Sequence, residues 1–189
     1  MDLYKAVNKK LFEELKHIAS IDKSHAAKLL GVKEDCIGEL ASITPLALER
    51  IGMIKAPMFS LDIKGLQVGL DAFLDALLEG GKATQNIINT AKTVNAPEMD
   101  DHLAEINLAI IMAANIHAKE NHDTAAMVLN IKPSQAKKLG SLPPTAIASL
   151  AGLSIPLFRL NEKKSIILKR LFEELDHEHS LTTSHYLIA

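Results

Sequence analysis

The chain has little of what marks several common protein classes. Its 189 residues include one cysteine, no tryptophan and only 4% aromatic residues. The lone Cys36 cannot form a disulfide within the chain, and most single cysteines act as small apolar residues. A net charge of −2 argues against a molecule that binds nucleic acid through its total charge. Because we find neither a signal peptide nor an apolar run of membrane-spanning length, the sequence predicts a soluble, cytoplasmic protein.

Aliphatic residues are abundant, and they favour an all-α fold. Apolar residues make up 48% of the chain, with Leu, Ile and Ala prominent, which suits helix-on-helix packing better than a β-sandwich. Apolar spacing and capping residues predict helices over residues 2–18, 25–30, 34–41, 45–52, 62–78, 99–118, 124–129, 133–139, 144–151 and 163–177.

One passage occurs twice in the chain without a gap. Residues 26–62 and residues 125–161 share eleven identities, and many of the remaining apolar positions exchange similar side chains, as Val32 does with Ile131 and Ile43 with Leu142. A repeat of this length is a whole structural unit with room for its own small core. We therefore predict a first repeat over residues 1–81, a linker over 82–97, a second repeat over 98–179 and a tail over 180–189.

Each repeat contains the spacing of a helix-turn-helix. Ala27 lies where two short helices would cross closely, and Gly31 supplies the left-handed turn between them. The second repeat has Ala126 and Asn130 at these places, and asparagine is the usual second choice for a left-handed turn. The pattern predicts the bihelical geometry, while contact with DNA and packing on protein remain equally open.

Charge separates the two repeats. The second short helix of the first repeat carries acids, whereas residues 132–170 hold eight basic residues against the single acid Glu162. Glutamine can read adenine, and lysine can contact guanine or phosphate. If either repeat binds DNA it is the second, and the candidate residues are Lys132, Ser134, Gln135, Lys137, Lys138 and Arg159.

The chain resembles the FlhD family, the D subunits of the bacterial flagellar master regulator. The resemblance lies in residues 31–45, which read GVKEDCIGELASITP, and in the Met58-Phe59-Ser60-Leu61-Asp62 segment. In the second repeat, residues 157–161 read LFRLN and are similar to the family's phenylalanine-arginine-phenylalanine-aspartate element. A cysteine that precedes this element in the family is replaced by Pro57 and Pro156, so an interchain disulfide is not expected there.

The resemblance implies two FlhD-like modules in tandem that pair through their long helices as a pseudo-two-fold dimer within one chain. It also implies transcription regulation together with a zinc-bearing partner subunit that supplies much of the DNA binding. The expected pairing interface places Leu11, Phe12 and Leu15 against Ile110, Ile111 and Ala114.

Neither a metal centre nor a catalytic site is predicted. His177 and His179 diverge on a helix, His117 and His122 straddle a helix end, and only His102 with Glu105 shares a helix face. No paired cysteines accompany them, as a structural zinc site would require. Cys36 has no histidine at a predictable distance and no phosphate-binding glycine loop is present, so we expect no enzyme and no cofactor.

Two other functions stay open beside a DNA-binding regulator. In a protein-only adaptor, the helix-turn-helix would serve packing, and the basic residues within 132–170, here called the basic strip, would contact an acidic partner. In an oligomeric structural protein, the apolar faces of the long helices would join copies of the chain. Steep loss of DNA affinity with added salt would favour the regulator.

Overall fold

The computed structural model describes residues 2–63, 68–90, 97–150, 153 and 155–160. These residues form ten helices and two short strands: α1 (Leu3–Ile21), α2 (Lys23–Leu30), α3 (Glu34–Ala41), α4 (Pro45–Ile51), β1 (Phe59–Leu61), α5 (Leu70–Glu79), α6 (Gly81–Thr90), α7 (Pro97–Glu120), α8 (His122–Leu129), α9 (Pro133–Gly140), α10 (Pro144–Ser149) and β2 (Phe158–Leu160).

The fold is all-α apart from this two-stranded ribbon, as predicted. The prediction of one helix over residues 62–78 was wrong at its start, because α5 begins at Leu70. Part of the predicted linker is helical, since α6 occupies residues 81–90. The predicted last helix, residues 163–177, lies outside the described residues.

Capping residues explain why the short helices begin and end where they do. The Asp22 side chain accepts a hydrogen bond from the His25 N–H at the start of α2. Asn121 caps α8 in the same way. Gly31, with φ 65°, ends α2, and Asn130, with φ 57°, ends α8. The left-handed turns predicted at Gly31 and Asn130 are therefore present.

The two long helices α1 and α7 pack against each other in antiparallel directions. Near one end of the pair, the Tyr4 hydroxyl lies 2.8 Å from His117 Nδ1. Near the other end, Glu14 Oε2 lies 2.5 Å from His102 Nδ1. Burial lowers the pKa of His117 and raises that of Tyr4. All six residues of the expected pairing interface are at most 3% exposed: Leu11, Phe12, Leu15, Ile110, Ile111 and Ala114.

A buried asparagine on each long helix holds the extended segment of its own repeat. Asn8 Nδ2 donates to the carbonyl oxygen of Ala56 at 2.9 Å, and its Oδ1 accepts from the Met58 N–H. Asn107, which lies 99 residues after Asn8, bonds Ile155 and Leu157 in the same way. These bonds orient the residues that follow for strand pairing.

The strands β1 and β2 form an antiparallel ribbon between the repeats. Phe59 pairs with Leu160, Ser60 with Arg159 and Leu61 with Phe158. The central pair joins Ser60 to the residue 99 positions later, so equivalent residues of the two repeats face each other at the middle of the ribbon.

We expect the Asn107→Ala variant to lose about 2–4 kcal/mol of unfolding free energy, because two buried backbone groups lose their partners. Urea unfolding followed by circular dichroism measures this difference. Asn89→Ala is the matched control, since Asn89 is exposed and its side-chain oxygen accepts a hydrogen bond from Gln85 at the surface. Equal unfolding free energies for the two variants would contradict the role given to Asn107.

Two helical glycines should respond oppositely to a methyl group. A Cβ at Gly140 would lie 3.1 Å from the carbonyl carbon of Ala118, in the backbone of α7, whereas a Cβ at Gly38 meets nothing within 4 Å. Gly140→Ala should therefore destabilise the protein by roughly 1–3 kcal/mol, and Gly38→Ala should stabilise it by about 0.5–1 kcal/mol. Thermal unfolding of both variants tests the pair, and a shift of the same sign would contradict it.

Candidate nucleic-acid interface

The helix α9 carries most of the predicted DNA-contacting residues. Pro133 occupies its first turn, and Ala136 and Leu139 are buried against the core. Lys132, Ser134 and Lys137 are exposed on its outer side. Lys132 and Ser134 lie at the start of α9, and Lys137 lies in its last turn. Lysine and serine side chains can contact phosphate oxygens, the contacts that position a protein on DNA.

Gln135 is buried, and its side-chain amide is engaged at both ends. Its Oε1 accepts from the Lys132 N–H at 2.9 Å, and its Nε2 donates to Asp71 Oδ2 at 2.8 Å. The residue is only 7% exposed. Reading a base edge would require Gln135 to exchange these partners, so its DNA role remains a prediction.

Lys138 forms ion pairs with two carboxylates of α5. Its Nζ lies 2.7 Å from Asp75 Oδ1 and 3.6 Å from Asp71 Oδ1. The hydrogen bond to Asp75 raises the pKa of Lys138. The hydrogen bond from Gln135, followed by the charge of Lys138, lowers the pKa of Asp71. The carboxylates of Asp71 and Asp75 therefore neutralise the charge of Lys138, one member of the basic strip.

The covering by α5 was not predicted from the sequence. Phe73, Leu74 and Leu77 form a buried face on α5, which packs on α9 and α10. Asp71 and Asp75 are four residues apart and so lie on one side of this helix. The acidic stretch over residues 61–131 beside the basic stretch over 132–170 was the available signal.

Arg159 lies on β2 and not on α9, and it has different neighbours from the α9 residues. It pairs with Ser60 across the ribbon. It also lines a cavity of about 580 Å³ together with His25 and Lys28 of α2 and with Phe158. The structure therefore places Arg159 beside the first repeat.

The corresponding helix of the first repeat has the opposite charge. Glu34, Asp35 and Glu39 are exposed on α3, and Cys36 is exposed among them. Carboxylates on this side repel a phosphate backbone. The expected division between an acidic first repeat and a basic second repeat is present at the surface.

The described residues include no group of three His, Cys, Asp or Glu side chains suited to a metal ion. His102 contacts Glu14 and stacks on His17, with ring centroids 5.0 Å apart, instead of pairing with Glu105. His177 and His179 lie outside the described residues. No described helix is long and apolar enough to cross a membrane.

Comparison with known proteins gives one result that bears on function. The model of the family described as "Flagellar transcriptional activator (FlhD)" matches residues 91–189, which include α7 to α10 and β2. No curated protein and no solved structure matches the chain.

The ion pairs predict that α5 is held on α9 by charge as well as by apolar contact. In the Asp71→Asn, Asp75→Asn double variant, we expect faster amide hydrogen exchange in α5 and α9 than in the wild type. The pKa of Asp71 is lowered in the folded protein, so ionised Asp71 stabilises the fold. This stabilisation is present above pH 3.8, the ordinary pKa of the group, and is lost as the pH falls below it. Asp101→Asn, on the exposed side of α7, is the control. Unchanged exchange in the double variant would rule out a role for these charges.

Proposed function

The chain belongs to the FlhD family of flagellar transcriptional activators, and on that premise we propose that it regulates transcription by contacting duplex DNA through α9. The observation that carries this proposal is the set of exposed groups at Lys132, Ser134 and Lys137 within the part of the chain that matches the family. Phosphate contacts from such lysines supply sequence-independent affinity that falls with salt.

A partner regulator subunit is the second element of the proposal. Two exposed lysines at α9 can neutralise only about two phosphates. Each neutralised phosphate adds about −0.9 to the slope of log K against log salt, so this pair alone gives weak binding at physiological salt. The acidic outer side of α3 cannot add to these contacts. We propose that a partner subunit supplies further DNA contacts, as the family resemblance implies.

We also propose that the first repeat is a second FlhD-like module, so that one chain carries a pair. Three correspondences between the two repeats support this. The asparagine bonds at Asn8 recur at Asn107. Lys16 Nζ bonds the Ile43 carbonyl, and Asn115, 99 residues after Lys16, bonds the Leu142 carbonyl 99 residues after Ile43. The central strand pair joins Ser60 to Arg159.

A protein-only adaptor is the alternative function, and the contacts of Gln135 and Lys138 with α5 favour it. These two side chains already have protein partners in the structure. A helix whose central polar groups bind a neighbouring acidic helix has the chemistry to bind an acidic protein partner as well.

Charge reversal at the exposed lysines tests the DNA proposal. We expect Lys132→Glu with Lys137→Glu to weaken binding to a mixed-sequence duplex at least about tenfold at low salt. The plot of log K against log salt should become shallower, with the magnitude of its slope reduced by about 2, one unit for each lost phosphate contact. Fluorescence anisotropy of a labelled duplex, measured at several salt concentrations, gives both quantities.

The matched control reverses two exposed lysines of the first repeat, Lys33 and Lys55, where Lys33 occupies the position equivalent to Lys132. This control has the same net charge as the test variant and should bind DNA nearly as the wild type does. Equal loss in both variants would show that only net charge matters. No DNA binding by the wild type even at low salt, combined with capture of an acidic protein, would favour the adaptor.

A further inference from the structure

The two strands of the ribbon have different surroundings. On one side, α8 of the second repeat packs against β1. On the other side, the equivalent elements are α2 of the first repeat and β2, and both of them line a cavity of about 580 Å³. Small-molecule sites in proteins have volumes of about 300–1,000 Å³. The structure therefore has room for a small ligand between α2 and β2.

The walls of this cavity are largely apolar. Leu29 and Leu30 line it from α2, and Ile155, Pro156 and Phe158 line it from the segment that ends in β2. Leu30, Ile155 and Phe158 are buried, so they form a fixed surface and not a mobile fringe. A ligand that fills the cavity gains affinity by removing its own apolar surface from water.

Charged side chains lie on both sides of the same cavity. Lys28 lines it from α2 and Arg159 from β2, and His25 lies one helical turn before Lys28. Asp62, which follows β1, also lines the cavity. With His25 taken as neutral at pH 7, the charges of Lys28, Arg159 and Asp62 sum to one positive charge. The cavity therefore matches a ligand that carries a single negative charge.

The positive charge is specific to this side of the ribbon. Met127 lies 99 residues after Lys28, and Ser60 lies 99 residues before Arg159. Because α8 and β1 pack together with neutral side chains at these places, the packing of a helix on a strand here does not require the two cations.

We propose that the cavity between α2 and β2 binds a small organic carboxylate with an apolar body. The guanidinium of Arg159 can donate two parallel hydrogen bonds to a carboxylate, and Lys28 adds a point charge from the opposite wall. A phosphate monoester carries a charge of roughly −1.5 to −2 at neutral pH and matches the cavity less well. His25, Asp62 and Arg159 also contact other protein groups, so the carboxylate would bind beside these partners.

The proposed site does not rest on DNA binding, and naphthoate is a suitable probe because it joins one carboxylate to an aromatic body. Naphthoate is titrated into the isotopically labelled full chain, and the amide signals are followed by NMR. We expect the amides of Lys28, Gly31 and Arg159 to shift together, with a Kd of about 1 mM or tighter for a molecule of this size. Amides of α9 serve as the internal reference. No shift at Lys28, Gly31 and Arg159 would overturn the proposal.

Three further probes separate the charge of the ligand from its apolar body. Naphthamide lacks the charge and acetate lacks the apolar body, so each should bind at least about tenfold more weakly than naphthoate. Equal affinity for naphthamide or for acetate would overturn the assigned ligand class. Tighter binding of naphthyl phosphate would assign the site to phosphate compounds and would overturn it as well.

Two substitutions borrow the neutral residues that occupy the equivalent places. Lys28→Met and Arg159→Ser should each weaken naphthoate binding about tenfold or more, because a charged hydrogen-bond partner is lost. Arg159→Lys keeps the charge without the paired donors and should lie between Arg159→Ser and the wild type. The amide NMR spectrum of each variant shows whether it is folded. Unchanged affinity in both Lys28→Met and Arg159→Ser would overturn the proposal.

The matched control is Lys23→Met, which removes the same charge from the same helix. Lys23 is exposed at the start of α2, roughly 140° around the helix from Lys28. This variant should bind naphthoate nearly as the wild type does. Equal weakening in Lys23→Met and Lys28→Met would show an effect of net charge alone and would overturn the site.

Discussion

The antiparallel packing of α1 against α7 is the contact on which the other described elements depend. Six of the other described helices have eight residues or fewer: α2, α3, α4, α8, α9 and α10. Isolated helices of that length are not stable in water, so they persist only by packing. α3 packs on α1, and α9 packs on α7. Loss of the α1 and α7 pair would therefore remove the surface on which α2 and α3, and α8 and α9, assemble.

The buried asparagines extend this dependence to the ribbon. Asn8 and Asn107 are fully buried on the two long helices, where an unsatisfied amide would be costly. Each amide is satisfied by backbone groups just before a strand. The long helices thus set the position of β1 and β2, and the ribbon in turn sets where the following segment goes. Through this chain of contacts, α5 reaches α9.

That arrangement changes how the basic strip can work. Lys132, Ser134 and Lys137 remain exposed for contacts to phosphate. Gln135 and Lys138 are held by Asp71 and Asp75, so their contribution depends on whether α5 stays in place. An acidic helix on a basic helix is also the chemistry expected when an acidic protein binds there. The proposed regulator and the alternative adaptor therefore use the same surface of α9. They differ in whether duplex DNA or an acidic protein binds there beside α5 or in its place.

Local sequence signals determined most of the helices and the two left-handed turns, because a cap such as Asp22 or a turn at Gly31 involves only neighbouring residues. The sequence also determined the charge difference between α3 and α9 and the family resemblance. The tertiary structure decided the strand pairing of Phe59 with Leu160, the late start of α5 at Leu70 and the burial of Gln135. The strand pairing and the contact of Gln135 with Asp71 join residues far apart in the chain, and contacts of that kind depend on packing that no local pattern encodes.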